Sequence, residues 1–184
     1  MTGLWIIVAL LILIFLVFIF LYNLLVSKRI RCREEWAQID VQLKRRWDLI
    51  PNLVETVRGY AAHERETLER VTNARSAAQA AKATPERTEA ENVLSGALRQ
   101  LFALSEHYPG LKANQNFAML QEEIANTENK IAFSRKQYNT AVAEYNTAAK
   151  QFPTKIVADL FNFRAETFFE LDDPAQRELP QVKF

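Results

Sequence analysis

The chain has 184 residues with 23 basic and 22 acidic side chains, so it lacks the basic excess that a nucleic-acid binder needs. Its single cysteine, Cys32, excludes a disulfide within the chain and fits a reducing compartment. Its length beyond the first apolar stretch suffices for one domain with a real core.

From Leu4 to Leu21 every residue is apolar, and after Tyr22 and Asn23 the run resumes with Leu24, Leu25 and Val26. At about 1.5 Å per residue this stretch covers a hydrocarbon core of roughly 30 Å. A cleaved signal peptide would need a basic start, a shorter apolar region and a small-residue cleavage site. Met1-Thr2-Gly3 carries no side-chain charge, and the run leads straight into Lys28 and Arg29, so the stretch reads as an uncleaved transmembrane helix over 1–27. Trp5 and Tyr22 fall near its two ends, where amphipathic rings favour the interface. Lys28, Arg29, Arg31 and Arg33 crowd its C-terminal flank, which places the N-terminus outside and the rest of the chain in the cytoplasm.

No glycine or proline lies between Gly3 and Pro51, so the membrane helix is expected to continue into the following domain without a hinge. An apolar stripe runs through Trp36, Ile39, Leu43, Trp47, Ile50, Leu53/Val54, Val57, Ala61, Leu68 and Val71 in steps of three and four, close to a heptad seam. Pro51 lacks the N–H a helix interior uses, which predicts a kink or short break with Pro51 in the first turn of the next section. Thr84-Pro85-Glu86 reads as a helix start, with Leu94, Leu98, Leu101 and Ser105 on the buried edge and Tyr108-Pro109-Gly110 as the end. The last pattern is the most regular: Phe117, Leu120, Ile124, Thr127, Ile131, Ser134, Tyr138, Ala141, Tyr145, Ala148 and Phe152 predict one long helix ended by Pro153. No stretch alternates with period two for long enough to form a strand. The fold class is therefore all-α: one N-terminal transmembrane helix continuing into an elongated antiparallel bundle of three to four long helices over 28–152, then an aromatic-rich irregular tail over 153–184.

Six of the twelve phenylalanines lie from Phe152 onward, at 152, 161, 163, 168, 169 and 184, with Pro153, Pro174 and Pro180 interrupting any long helix. Its rings must be buried against the bundle itself or against a neighbour.

Searching the chain for reaction chemistry gives a negative result. A di-iron bundle needs Glu-x-x-His pairs, but His63 and His107 are preceded at that spacing by Tyr60 and Leu104. His63-Glu64 begins like a zinc-protease motif, and Thr67 stands where the second histidine belongs. There is no glycine-rich phosphate loop and no Gly-x-Ser-x-Gly elbow. Arg31 and Arg33 could lower the thiol pKa of Cys32, but no base stands near it in sequence. The expectation is a protein that is not an enzyme and holds no catalytic residue, metal or cofactor. The segment Asp40 to Asp48, with Lys44, Arg45 and Arg46 between, reads as a solvated face in which Asp40 and Lys44 pair at i, i+4; its functional alternative is an interaction surface. Asn114, Asn116, Asn126, Asn129 and Asn139 read as cap and surface residues.

Several blocks in order resemble the LemA family: Tyr22-Asn23 with Leu25-Val26, WAQIDVQLKRRWDLIPNLVETVRG from Trp36 to Gly59, Tyr60-Ala61 followed by His63-Glu64, and YPGLKANQNFAMLQEEIANTENKIAFSRKQYN from Tyr108 to Asn139. Phe152-Pro153 and the tail Phe161-x-Phe163 with Phe168-Phe169-Glu170 complete the likeness, with Asn162 standing where the family leads one to expect glycine. The resemblance implies a bacterial inner-membrane protein with one N-terminal span, a cytoplasmic helical bundle and no enzyme activity. Relatives associated with magnetosome membrane formation point towards membrane organisation. Two functions follow as expectations. One is a scaffold that lies in the lipid bilayer, forms a homo-oligomer through its long coiled-coil-like helices and tail rings Phe152, Phe161, Phe163, Phe168 and Phe169, and shapes membrane. The other is an adaptor presenting its bundle to a membrane-protein partner such as a quality-control protease.

Overall fold

The structure, a computed structural model, describes residues 2–82 and 84–169. Its helices are α1 (Thr2–Arg58), α2 (Arg65–Ala80), α3 (Thr84–Ala103), α4 (Pro109–Lys112), α5 (Gln115–Lys150) and α6 (Thr154–Leu160), with a 3₁₀ turn at Leu104–Glu106. Among the described residues there is no strand, as the apolar periodicity requires. The chain divides into two compact units, one from Met1–Asp40 with Ala132–Phe168 and one from Val41–Ile131 with, of the described residues, Phe169. The first unit holds the apolar run together with the expected tail as far as Phe168.

The second unit takes its core from the helical stripes. Leu43, Ile50, Leu53 and Val57 of α1, Leu68 and Val71 of α2, Leu94, Leu98 and Leu101 of α3, and Phe117, Ile124 and Ile131 of α5 are each 5% exposed or less. Helices α2 and α3 pack on each other. Asn114 caps α5, its Oδ1 accepting the Phe117 N–H at 2.9 Å.

Two boundary expectations are corrected here. Pro51 neither breaks α1 nor starts a new helix, since α1 continues to Arg58. A proline removes the donor that the carbonyl four residues earlier would use, here that of Trp47. Arg75 of α2 supplies the replacement, its Nε donating to the Trp47 carbonyl at 2.7 Å. Tyr108-Pro109-Gly110 does not end α3 either; α3 stops at Ala103, and Pro109 opens the single turn of α4, where a first-turn proline is tolerated.

The first unit joins the start of α1 to the end of α5. Leu25 is fully buried with Ala148, Val157 and Ala158, and Phe18, Leu21, Tyr22 and Phe163 pack around them. The distal part of the expected span is thus covered by the chain's own C-terminal region, while Leu4 to Val17 stands bare. The tail is less irregular than expected: α6 forms directly after Pro153, burying Thr154, Val157 and Ala158 on one face. Phe152, expected on the buried stripe, is 81% exposed because α5 ends at Lys150 and the stripe ends with it. Phe184, Pro174 and Pro180 lie outside the described residues.

Asn162 stands directly after α6 with φ 55°, in the left-handed region. Only glycine enters that region freely, and asparagine is the common substitute, which explains why glycine is expected there and why asparagine serves. Asn162→Gly should change the melting temperature little, whereas Asn162→Val should destabilise by about 1–2 kcal/mol. Equal melting curves for the two variants would remove this reading.

Candidate functional site

In the first unit, residues 162–168 run as a strap along α5. Tyr138 and Tyr145 are one heptad apart, so both hydroxyls emerge on the same face, donating to the carbonyls of Thr167 and Arg164 at 2.9 Å each. Asn146 completes the fastening, its Nδ2 donating to the Glu166 carbonyl and its Oδ1 accepting the Glu166 N–H, both at 2.9 Å. Trp36 stacks edge-on against Tyr138 at 5.1 Å between centroids. Burial, helped by the negative charge of Glu166, pushes the Tyr138 hydroxyl up to about 12, and burial likewise raises Tyr145. Both phenols therefore stay protonated donors at neutral pH.

The basic flank is tied into the same unit. Arg29 pairs with Glu166 at 3.1 Å, while Lys28 and Arg31 both reach Glu144, at 3.4 and 3.0 Å. These pairs are partly exposed, so each stabilises modestly, but together they hold strap and α5 against α1 immediately beyond the apolar run. Arg33 is exposed. Cys32 is buried, and the effect expected from its arginine neighbours is overturned: burial, followed by the charge of Glu166, pushes the thiol up, outweighing the opposite pull of Arg31.

The tail rings separate. Phe161 packs on Phe18 and Tyr22, at 5.9 and 4.8 Å, and Phe163 on Tyr22 at 5.7 Å. Phe169 is buried, whereas Phe152 and Phe168 are exposed.

The second unit contains a buried ionic cluster. Arg46 and Glu91 are both fully buried and paired, Nη1 of Arg46 also reaches Glu128 and donates to Ser95 Oγ at 2.9 Å, and Trp47 Nε1 donates to the other oxygen of Glu91 at 3.0 Å. The guanidinium of Arg87 lies 5.8 Å from the centre of the Trp47 ring. One arginine of α1 thereby binds carboxylates from α3 and α5. Its placement corrects the sequence reading, in which Arg46 belonged to a solvated or interacting face. Lys44 pairs with Asp48 at 2.7 Å, and Arg45 pairs with Glu123; Asp48 is exposed and Asp40 half-buried. Sequence reasoning missed Glu91, Glu128, Glu144 and Glu166, whose basic partners are at least 45 residues away. The heptad spacing of Tyr138 and Tyr145 was the one signal that could have located the strap. Among the described residues no group of three or more His, Cys, Asp and Glu is placed to hold a metal ion.

These features define an all-helical bundle protein with one candidate membrane-spanning helix, whose most apolar window has mean hydropathy 3.5 with none of it buried. Several of its charged groups form ion pairs within each unit. The chain belongs to the LemA family, which it matches over residues 35–184, starting just past the apolar run. Among curated proteins no match was found.

Proposed function

We propose that the chain is a non-enzymatic, membrane-anchored helical scaffold that self-associates and organises the bacterial inner membrane, with its N-terminus outside and its bundle in the cytoplasm. The observation that carries this reading is α1 itself, which begins as a bare apolar helix and continues unbroken into a helix bearing bundle core. A helix of that kind couples any assembly of the bundle to the bilayer. The basic flank from Lys28 to Arg33 supports the orientation. Self-association is supported by large apolar side chains outside the apolar run that are left exposed, notably Met119, Phe133 and Phe168.

Analytical ultracentrifugation of the full chain in mild detergent should find a species heavier than the monomer, and Phe133→Ala with Phe168→Ala should weaken it without lowering the melting temperature. A strictly monomeric protein overturns the scaffold, and one stoichiometric membrane protein co-purifying with that monomer establishes the adaptor reading instead. A reporter fused after Phe184 should be active only in the cytoplasm.

A further inference from the structure

The first unit carries an apolar surface that neither the anchor nor the bundle core uses. Helix α6 turns Thr154, Val157 and Ala158 inward, and leaves Ile156 and Leu160, one turn apart, 57% and 67% exposed. Phe152 before the helix and Phe161 after it are exposed as well, which makes four large apolar side chains in a stretch of ten residues. In water such a patch calls for an occupant.

Its position identifies the occupant. Phe161 rests on Phe18 and Tyr22, and Val157 and Ala158 rest against Leu25, so α6 lies beside the very segment of α1 where the apolar run ends. Phe18 is three residues before Leu21, the last residue of the unbroken run, or about 5 Å along the helix axis. Lys28, the first cation, is about 15 Å beyond Phe18. A bilayer that accommodates Leu4 to Leu21 therefore has its headgroup–acyl boundary at the level of α6, and the exposed patch continues the lipid-facing surface of α1.

The backbone is prepared for such surroundings. Where α5 ends and α6 begins, unpaired carbonyls would be costly near hydrocarbon. Thr154 Oγ1 reaches the carbonyls of Ala148 and Gln151, at 2.5 and 2.8 Å, and the Lys155 N–H donates to the Gln151 carbonyl at 2.7 Å. At the far end the Phe161 N–H donates to the Val157 carbonyl at 3.0 Å and the Phe163 N–H to that of Ala158 at 2.9 Å. The charged groups of α6, Lys155 and Asp159, pair with each other at 2.7 Å, so neither enters the boundary alone.

We propose that α6, with Phe152 and Phe161 at its ends, is an interfacial collar that lies in the headgroup–acyl boundary beside the anchor, with Ile156 and Leu160 in contact with lipid. An amphipathic segment of this kind binds by burying its apolar face at that depth. This rests on the membrane-anchor part of the proposed function and is independent of self-association.

The test uses full-length protein in a Cys32→Ser background, reconstituted into vesicles of phosphatidylcholine and phosphatidylglycerol with or without brominated acyl chains. A fluorescent label is placed in turn at Ile156→Cys, Leu160→Cys, Leu11→Cys in the anchor and Lys136→Cys on α5. Brominated lipid should quench the labels at 156, 160 and 11, with the label at 136 unaffected. Quenching at 11 without quenching at 156 and 160 overturns the collar while leaving the anchor intact. No quenching at 11 overturns the anchor reading and the collar with it. Cross-linking between copies of the Ile156→Cys or Leu160→Cys variant, without bromolipid quenching, assigns the patch to a second copy and likewise overturns the proposal.

Discussion

Replacing Arg46 by methionine should destabilise the protein by about 3–5 kcal/mol, which for a chain of this size lowers the melting temperature by roughly 10 °C. Removing Arg46 breaks a fully buried ion pair with Glu91 together with its links to Glu128 and Ser95, and the desolvation of the buried carboxylate is then no longer offset by that guanidinium. Arg46→Lys should recover little, because an ammonium on a linear stem cannot bind Glu91 and Glu128 as the planar fork does. By contrast, Arg46→Met combined with Glu91→Leu should regain most of the loss, since a matched apolar pair removes both the charge and its desolvation. Melting curves in detergent across this series check the argument. A loss below about 1 kcal/mol for Arg46→Met would mean that the cluster is solvated.

The behaviour of Arg46 also explains how far sequence reading can reach. Leu43, Trp47 and Ile50 are legible as core because their spacing is local and repeats. Arg46 adjoins that stripe, and only partners from α3 and α5, 45 and 82 residues away, bring it inside. No local pattern encodes such a pairing, so a run of mixed charge reads as solvated. The same limit applies to Glu144 and Glu166, which meet the basic flank from more than a hundred residues away. Helix α6 is hidden for a different reason. Seven residues hold barely two turns, too few to establish a period, and the surrounding prolines and aromatics give the stronger signal of irregular chain. The chemistry of Pro51 is legible in sequence and its geometry is not, because the donor that replaces its missing N–H comes from Arg75 on another helix.

The long stripe of α5 supports a graded prediction at Ile131. This side chain is 1% exposed and sits in phase with Ile124 and Phe117, both similarly enclosed. Ile131→Ala leaves a cavity and should cost about 2–4 kcal/mol. Ile131→Asp adds an unpaired charge to the same lost packing, and should cost more than the alanine variant, about 5 kcal/mol or enough to prevent folding. Lys136 lies five residues on, which turns it off the stripe, and it is exposed. Lys136→Asp changes charge by two units in water and should stay within about 0.5–1 kcal/mol, mainly through weaker helix propensity. The order Lys136→Asp, Ile131→Ala, Ile131→Asp in falling stability follows from one fact, that the three-and-four alternation decides which side of α5 is dry. Thermal unfolding of the three full-length variants in the same detergent reads that order directly. If Lys136→Asp proves as damaging as Ile131→Asp, the face assigned to the core is wrong.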